Sequence, residues 1–358
     1  MYSESDIDGA VQAGALGADA AAAFRAHVAA TRTAPAVDEE SFRLLTGFND
    51  IFVSIAAMLM LVAVGWLGNG VRLFAPQHGP SPLMGFAVAA TAWALAEYFT
   101  RHRRMALPSI LLLLAFAGGL FAGFGLLFAV LLEATETELG DGRVVAGTLA
   151  LAAALTAGGV WLHWRRFRVP ITVAAGAATV AGLLLSLIVA AAPSLADHLL
   201  PLLLIAGLGV FALAMRWDMS DRTRTTRRSD VAFWLHLLAA PMLVHPIFAM
   251  MGMLEGTAAP AQAAIVLLLY VVLGIVALAI DRRALMVSAL VYVLYALSSL
   301  IESSGVVDLS FGLTALIIGS ALLLLSAFWT AARRFVVGCL PGDVAGRLPV
   351  VDRLALAS

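Results

Sequence analysis

The stretch 231-VAFWLHLLAAPMLVHPIFAMMGM-253 carries no formal charge, yet it holds two histidines and two prolines. A run this long and apolar answers the demand of lipid. The hydrocarbon core is about 30 Å thick and a helix rises about 1.5 Å per residue, so roughly 20 apolar residues cross it. The rest of the chain has the same character. Of its 358 residues, 62% are hydrophobic and 13% are charged. Soluble domains average about 45–50% apolar and about 25% charged.

The apolar residues fall in blocks bounded by arginine. Ten blocks reach crossing length, near 51–71, 83–100, 109–132, 144–163, 170–192, 199–216, 231–253, 262–280, 284–301 and 309–331. Blocks five and six are separated only by 193-PSLADHLLP-201, whose prolines predict a tight turn. The fold class expected is therefore all-α: a polytopic transmembrane helix bundle of ten spans.

Every basic residue is arginine, and their distribution predicts orientation. With both termini in the cytoplasm, the tail before the first span holds Arg25, Arg32 and Arg43. The inner loops hold Arg101, Arg103 and Arg104; Arg165, Arg166 and Arg168; Arg216, Arg222, Arg224, Arg227 and Arg228; Arg282 and Arg283. The C-terminal tail holds Arg333, Arg334, Arg347 and Arg353, and only Arg72 and Arg143 fall outside. The first residues lack a basic n-region and an apolar h-region, so the first span is expected to act as an uncleaved signal anchor. The expected location is a cell inner membrane, with both ends cytoplasmic.

Residues 1–50 form a separate region. The run 3-SESDIDGAVQAGALGADAAAAFRAHVAATR-32 predicts two short helices, the first ended by Gly14 and the second over about 18–30. The run 38-DEESFRLLTGFND-50 reads as an amphipathic lead-in to the membrane domain, 51–332, which is followed by a cytoplasmic or interfacial tail over 333–358.

Three marks suggest an internal duplication. Arg-Arg opens 103-RRMALPSILLLLAFAGGL-120 and 282-RRALMVSALVYVLYALSSL-300. Asp50 and Asp230 each begin a span. Trp-x-x-x-Arg-Arg-Phe recurs in 161-WLHWRRF-167 and 329-WTAARRF-335. The halves would be 51–168 and 230–335, joined by the hairpin 170–216, as a parallel repeat about the membrane normal. Chance likeness between two arginine-flanked helices is the competing account.

The candidate site residues are His236, Pro241, His245, Pro246 and Glu97. Pro241 frees the carbonyl of Leu237 and Pro246 that of Met242. Polar groups are costly in lipid and usually face a bundle interior or a wet cavity. One reading is a kinked seventh span lining a cavity, with a histidine that carries a proton. The other is a neutral histidine bonded to a neighbouring helix, with prolines that only shape packing. Glu97 is read as the deepest acid, with Arg101 one turn on as an i,i+4 partner. Asp50, Asp230 and Glu302 are placed at span ends, within reach of water. Gly119 and Gly123 form a GxxxG pair suited to close helix contact, within the chain or in a dimer.

Other chemistry has no signature here. The chain lacks a P-loop, GxSxG, HExxH and CxxC, and its one cysteine, Cys339, excludes an intrachain disulfide. No enzyme, metal site or cofactor is expected. The expected partners are the bilayer and either a second copy or a partner membrane protein, not nucleic acid: the basic loop 222-RTRTTRR-228 is already explained by topology.

The N-terminal helical pair around 11-VQAGALGADAAAAFRAHV-28, the alanine- and leucine-rich spans and the Trp-x-x-x-Arg-Arg ending resemble uncharacterised multi-pass inner-membrane proteins of Gram-negative bacteria, grouped as a domain of unknown function. That resemblance implies a fold and a location but no activity, and no residue inherits a role from it. Two functions follow from the residues: a permease-like small-solute transporter with a cavity near the seventh span, or a non-catalytic scaffold or accessory subunit acting through helix faces and the N-terminal hairpin.

Overall fold

The computed structural model describes residues 4–31, 48–71, 79–134, 142–222, 224, 226–252, 260–303 and 310–351. Among these residues the backbone is helix and turn, with no strand. The chain divides into two compact units, 1–44 and 45–358. In the first, α1 (Glu4–Gln12) and α2 (Ala18–Thr31) pack on each other. Gly14 sits between them at φ +70°, a left-handed conformation that suits glycine and stops the helix. Most of the lead-in, 38–47, lies outside the described residues.

The second unit begins with α3 (Phe48–Gly70) and α4 (Pro82–Ala96), the latter running into a π-turn over Glu97–His102. Then come α5 (Ala106–Ala134), α6 (Gly142–Phe167) and α7 (Ile171–Ala191). A 3₁₀ turn over Pro193–His198 leads into α8 (Leu199–Met219), so the proline-bounded turn forms as expected. The chain closes with α9 (Arg227–Met250), α10 (Pro260–Ile280), α11 (Ala284–Ser303), α12 (Ser310–Ala327), α13 (Trp329–Gly338) and the single turn α14 (Gly342–Ala345). Polar residues set the starts. Ser81 caps α4, accepting from Leu83 N–H with Pro82 at the first helical position, and Thr226 caps α9, accepting from Arg228 N–H.

Nine helices among the described residues are long and apolar enough to cross a membrane, and ten if α12 and α13 count as one bent span. The tenth differs from expectation. The run expected to end at residue 331 stops at Ala327, and α13 leaves at 75°. Its first residue explains the bend: Trp329 is buried and donates its indole N–H to Asp281 at 2.7 Å. A straight span would pull the ring off that carboxylate.

Helix α9 forms the centre. More than half of its apolar window is buried, against a third or less for every other candidate span. It packs on α7, α8 and α11, and Val244 and Phe248 join Val266, Ala289 and Val293 in one core cluster. The helix runs unbroken through both prolines: Pro241 lies on its exposed side and Pro246 on its buried side.

Glycine decides the closest helix approaches. A Cβ on Gly85 of α4 would lie 2.3 Å from the Gly123 nitrogen and 2.5 Å from the Gly119 oxygen of α5. The Gly119–Gly123 pair is thus used within the chain, against α4. Gly207 lets α8 meet the α9 backbone at Met242 in the same way. In the first half α4–α5, α5–α6 and α3–α5 pack, and in the second α10–α11, α11–α12 and α9–α11 do.

Among the described residues, four that are not glycine adopt left-handed backbone: Arg104, Arg168, Arg224 and Asp281, at φ 53–58°. Each stands in one of the arginine-rich turns between helices.

Candidate functional site

Side chains from four segments far apart in the chain converge at two of those turns, the ones at Arg224 and Asp281. Asp218 closes α8, His236 lies two turns into α9, Arg282 precedes α11, and all three are buried. His236 Nε2 lies 2.8 Å from Asp218 Oδ2. Arg282 Nη2 donates to Asp218 Oδ1 at 2.6 Å and to the Ser229 carbonyl at 3.2 Å. Asp218 thus joins α8 to α9 and to the α10–α11 turn.

A second carboxylate stands beside it. Arg224 Nη1 donates to Asp281 Oδ2 at 2.7 Å, and Arg224 Nη2 to the Ile280 carbonyl at 3.0 Å. On the other oxygen, Oδ1, Trp329 donates at 2.7 Å and Arg333 Nε approaches to 3.7 Å. Arg333 Nη2 and Nη1 donate to the Pro349 and Val350 carbonyls at 2.7 and 3.2 Å, and Arg222 Nε donates to the Leu348 carbonyl at 2.8 Å. The C-terminal segment is thereby fastened to the α8–α9 turn. Burial pushes the Arg224 guanidinium down to about 10, with Arg282 adding to the effect and Asp281 opposing it. It stays charged at neutral pH.

Buried ion pairs hold when each partner is satisfied, because desolvation otherwise outweighs the attraction. Here the accounting nearly closes. Asp218, Asp221 and Asp281 stand against Arg224, Arg282 and Arg333, all buried. The Nε atoms of Arg224 and Arg333 and the Nδ1 of His236 are buried without a hydrogen-bond partner.

The expected site residues do not come together. His236 belongs to this network. His245 is half-buried and its Nδ1 lies 2.6 Å from the Tyr292 hydroxyl of α11. Both histidines bond to neighbouring helices. The Glu97 side chain is 32% exposed, against 1% for Asp218 and 4% for Asp281. It makes the expected contact with Arg101 at 3.3 Å, and a stronger forked one with Arg166 of α6 at 2.7 and 2.9 Å. Asp50 also differs. It is buried, not open to water, and its carbonyl accepts the Ser54 hydroxyl at 2.6 Å. Because the Glu97–Arg166 pair is exposed, Glu97→Gln is expected to shift the thermal midpoint of the purified protein only slightly, and the difference should vanish at high salt. A large, salt-independent drop would show that the pair works in a desolvated setting.

Asp218, Asp281, Arg282, Trp329 and Arg333 have no place among the residues expected to matter. One signal pointed to the acids: 216-RWDMSDR-222 and 281-DRR-283 place aspartates in turns where topology asks only for arginine. His163 is likewise unexpected. It is buried among Phe167, Phe116 and Trp93, with ring centroids 4.5, 5.6 and 5.9 Å away, and its Nδ1 lies 3.4 Å from the Thr172 hydroxyl.

The described cavities lie elsewhere. A groove of about 500 Å³ runs along α3, α4 and α5, floored by Gly65, Gly85 and Gly119. A second, of about 340 Å³, lies against Trp161, Trp164 and Trp217. A smaller cleft, of about 120 Å³, adjoins the α12–α13 bend. None of the three is lined by His236, Pro241, His245, Pro246 or Glu97. Among the described residues no three His, Cys, Asp or Glu side chains converge as a metal site would require.

These features define an all-helical, multi-pass integral membrane protein with a buried ionic network at one end of its second half. Comparison with family models, curated proteins and solved structures finds no match.

Proposed function

We propose that the chain is a multi-pass inner-membrane protein of the uncharacterised bacterial group it resembles, working without catalysis as a scaffold or accessory subunit. One observation carries this reading. The polar groups a transporter would use are bonded to neighbouring helices, His236 to Asp218 and His245 to Tyr292, and line no described cavity. The permease-like reading needs a wet cavity at α9, and none of the three cavities described among these residues touches either histidine. A scaffold needs helix faces instead, and the glycine-floored groove on α3, α4 and α5 is one such face.

The same proposal puts both termini in the cytoplasm, because the arginines then gather on one side. It also includes a parallel repeat of spans 1–4 and 7–10; three neighbour relations recur in the two halves, while the α3–α4 packing has no α9–α10 counterpart among the described residues.

The test is co-purification from gently solubilised membranes at native expression. The intact chain is expected to carry a stoichiometric membrane partner or a second copy. Removal of residues 4–31, or Ala122→Trp to fill the groove, should release it, whereas His245→Phe should not. The reading fails if the chain purifies alone as a monomer and a solute uptake that depends on His236 or His245 is found in reconstituted vesicles.

A further inference from the structure

We propose that the groove between α6, α7 and α8 binds the ring of a lipid-borne quinone, one carbonyl of the ring accepting from the Thr172 hydroxyl. This goes beyond a scaffold role and does not depend on it.

Three helices line the groove. Helix α6 supplies Val160, Trp161 and Trp164, α7 supplies Thr172 and Gly176, and α8 supplies Trp217. The volume, about 340 Å³, falls within the ~300–1,000 Å³ usual for ligand sites. Three of the chain's seven tryptophans therefore stand round one chamber. An interfacial belt asks only that such rings lie at headgroup level. Trp164 and Trp217 are instead half-buried, packed against the core shared by α7, α8 and α9. Trp161 stands at the mouth, 55% exposed, with the Arg165 guanidinium carbon 4.9 Å from its ring centroid.

One polar group is fixed in this apolar wall. Thr172 and His163 are each 1% exposed, and Thr172 Oγ1 lies 3.4 Å from His163 Nδ1. His163 Nε2 is buried with no hydrogen-bond partner among the described residues. Folded proteins leave a buried N–H unmet less often than a buried acceptor, which places the imidazole proton on Nδ1 and makes Thr172 Oγ1 its acceptor. The hydroxyl then keeps its own hydrogen to donate, and among the described residues His163 is its one hydrogen-bond partner. Hydrocarbon cannot use that hydrogen, and a donor left unmet in a dry setting is costly.

A quinone answers each feature. Its flat ring stacks on indole faces, its carbonyl takes the Thr172 hydrogen, and its isoprenoid tail is as apolar as the rest of the groove. The order along the groove also matches. Thr172 stands in the first turn of α7, just past the turn that holds Arg165, Arg166 and Arg168. Val180, exposed on the rim, is eight residues further on, about 12 Å along the axis toward the middle of the helix. The ring would lie at the headgroup end and the tail toward the bilayer centre. An acyl chain would leave both the hydroxyl and the indole faces unused.

The experiment is a titration of the full chain, in lipid nanodiscs, with decylubiquinone, read as quenching of tryptophan fluorescence. Quenching should saturate, and an excess of dodecanol, a chain without a ring, should not relieve it. Thr172→Val is expected to weaken binding about fivefold, the scale of one neutral hydrogen bond, and Thr172→Ser to restore it. Gly176→Leu should abolish the saturable phase: its Cβ meets Val160 Cγ1 at 3.7 Å, an ordinary contact, so the backbone stays and the rest of the side chain fills the groove. Quenching that climbs without saturating, relief by dodecanol, or parental affinity in Thr172→Val or in Gly176→Leu would overturn the assignment.

Discussion

Asp281→Asn is expected to cost the fold about 3–5 kcal/mol, the range for removing one partner of a buried ion pair. The cause is the company this carboxylate keeps. It neutralises Arg224, accepts the Trp329 indole N–H and faces Arg333. An amide of the same size keeps an acceptor but loses the charge, leaving Arg224 buried without its counter-ion. Because Trp329 begins α13 and Arg333 grips the Pro349 and Val350 carbonyls, the loss should spread to the helix bend and the C-terminal segment. The readouts are a large fall in thermal midpoint in detergent and a faster proteolytic cut after Phe328. Asp197→Asn, on the exposed turn between α7 and α8, is the control and should change neither. An Asp281→Asn protein as stable as the parent would mean that the network is not desolvated.

The second large effect is expected from a single methyl group. Gly85→Ala places a Cβ 2.3 Å from the Gly123 nitrogen and 2.5 Å from the Gly119 oxygen. The obstacles are backbone atoms, which cannot rotate aside as a side-chain tip can. Helices α4 and α5 must therefore separate along their contact, and overpacking of this kind costs about 1–3 kcal/mol. Gly118→Ala is the matched control: nothing lies within 4 Å of its Cβ, and alanine is the better helix former. The midpoint should fall for Gly85→Ala and hold or rise for Gly118→Ala. Equal behaviour of the two would place the close contact elsewhere.

The spans were legible in the sequence because crossing lipid is a demand on length and composition, and both are local. The turn at 193–201, the stop at Gly14 and the Glu97–Arg101 pair were legible for the same reason, being matters of a few consecutive residues. What could not be seen was pairing across the chain. Nothing near Asp218 announces Arg282, and nothing near Trp329 announces Asp281. The prolines of α9 leave two readings open for a related reason. Two helix-breaking rings beside a histidine suggest a cavity only while the neighbours are unknown. With α8 and α11 in place, the two histidines bond to Asp218 and Tyr292. The bend at Ala327 was hidden too, since the residues through 331 remain apolar enough to continue a span and the reason to stop is a carboxylate on another turn.

The four corners at Arg104, Arg168, Arg224 and Asp281 carry one more implication. A left-handed turn costs an ordinary residue roughly 1–2 kcal/mol, and glycine would remove most of that penalty. A bundle that had only to thread lipid would gain by using it. Each of these corners instead carries a charged residue, three arginines and one aspartate. Glycine at any of the four would remove a charge and a backbone penalty together, whereas glutamine or asparagine would remove the charge alone.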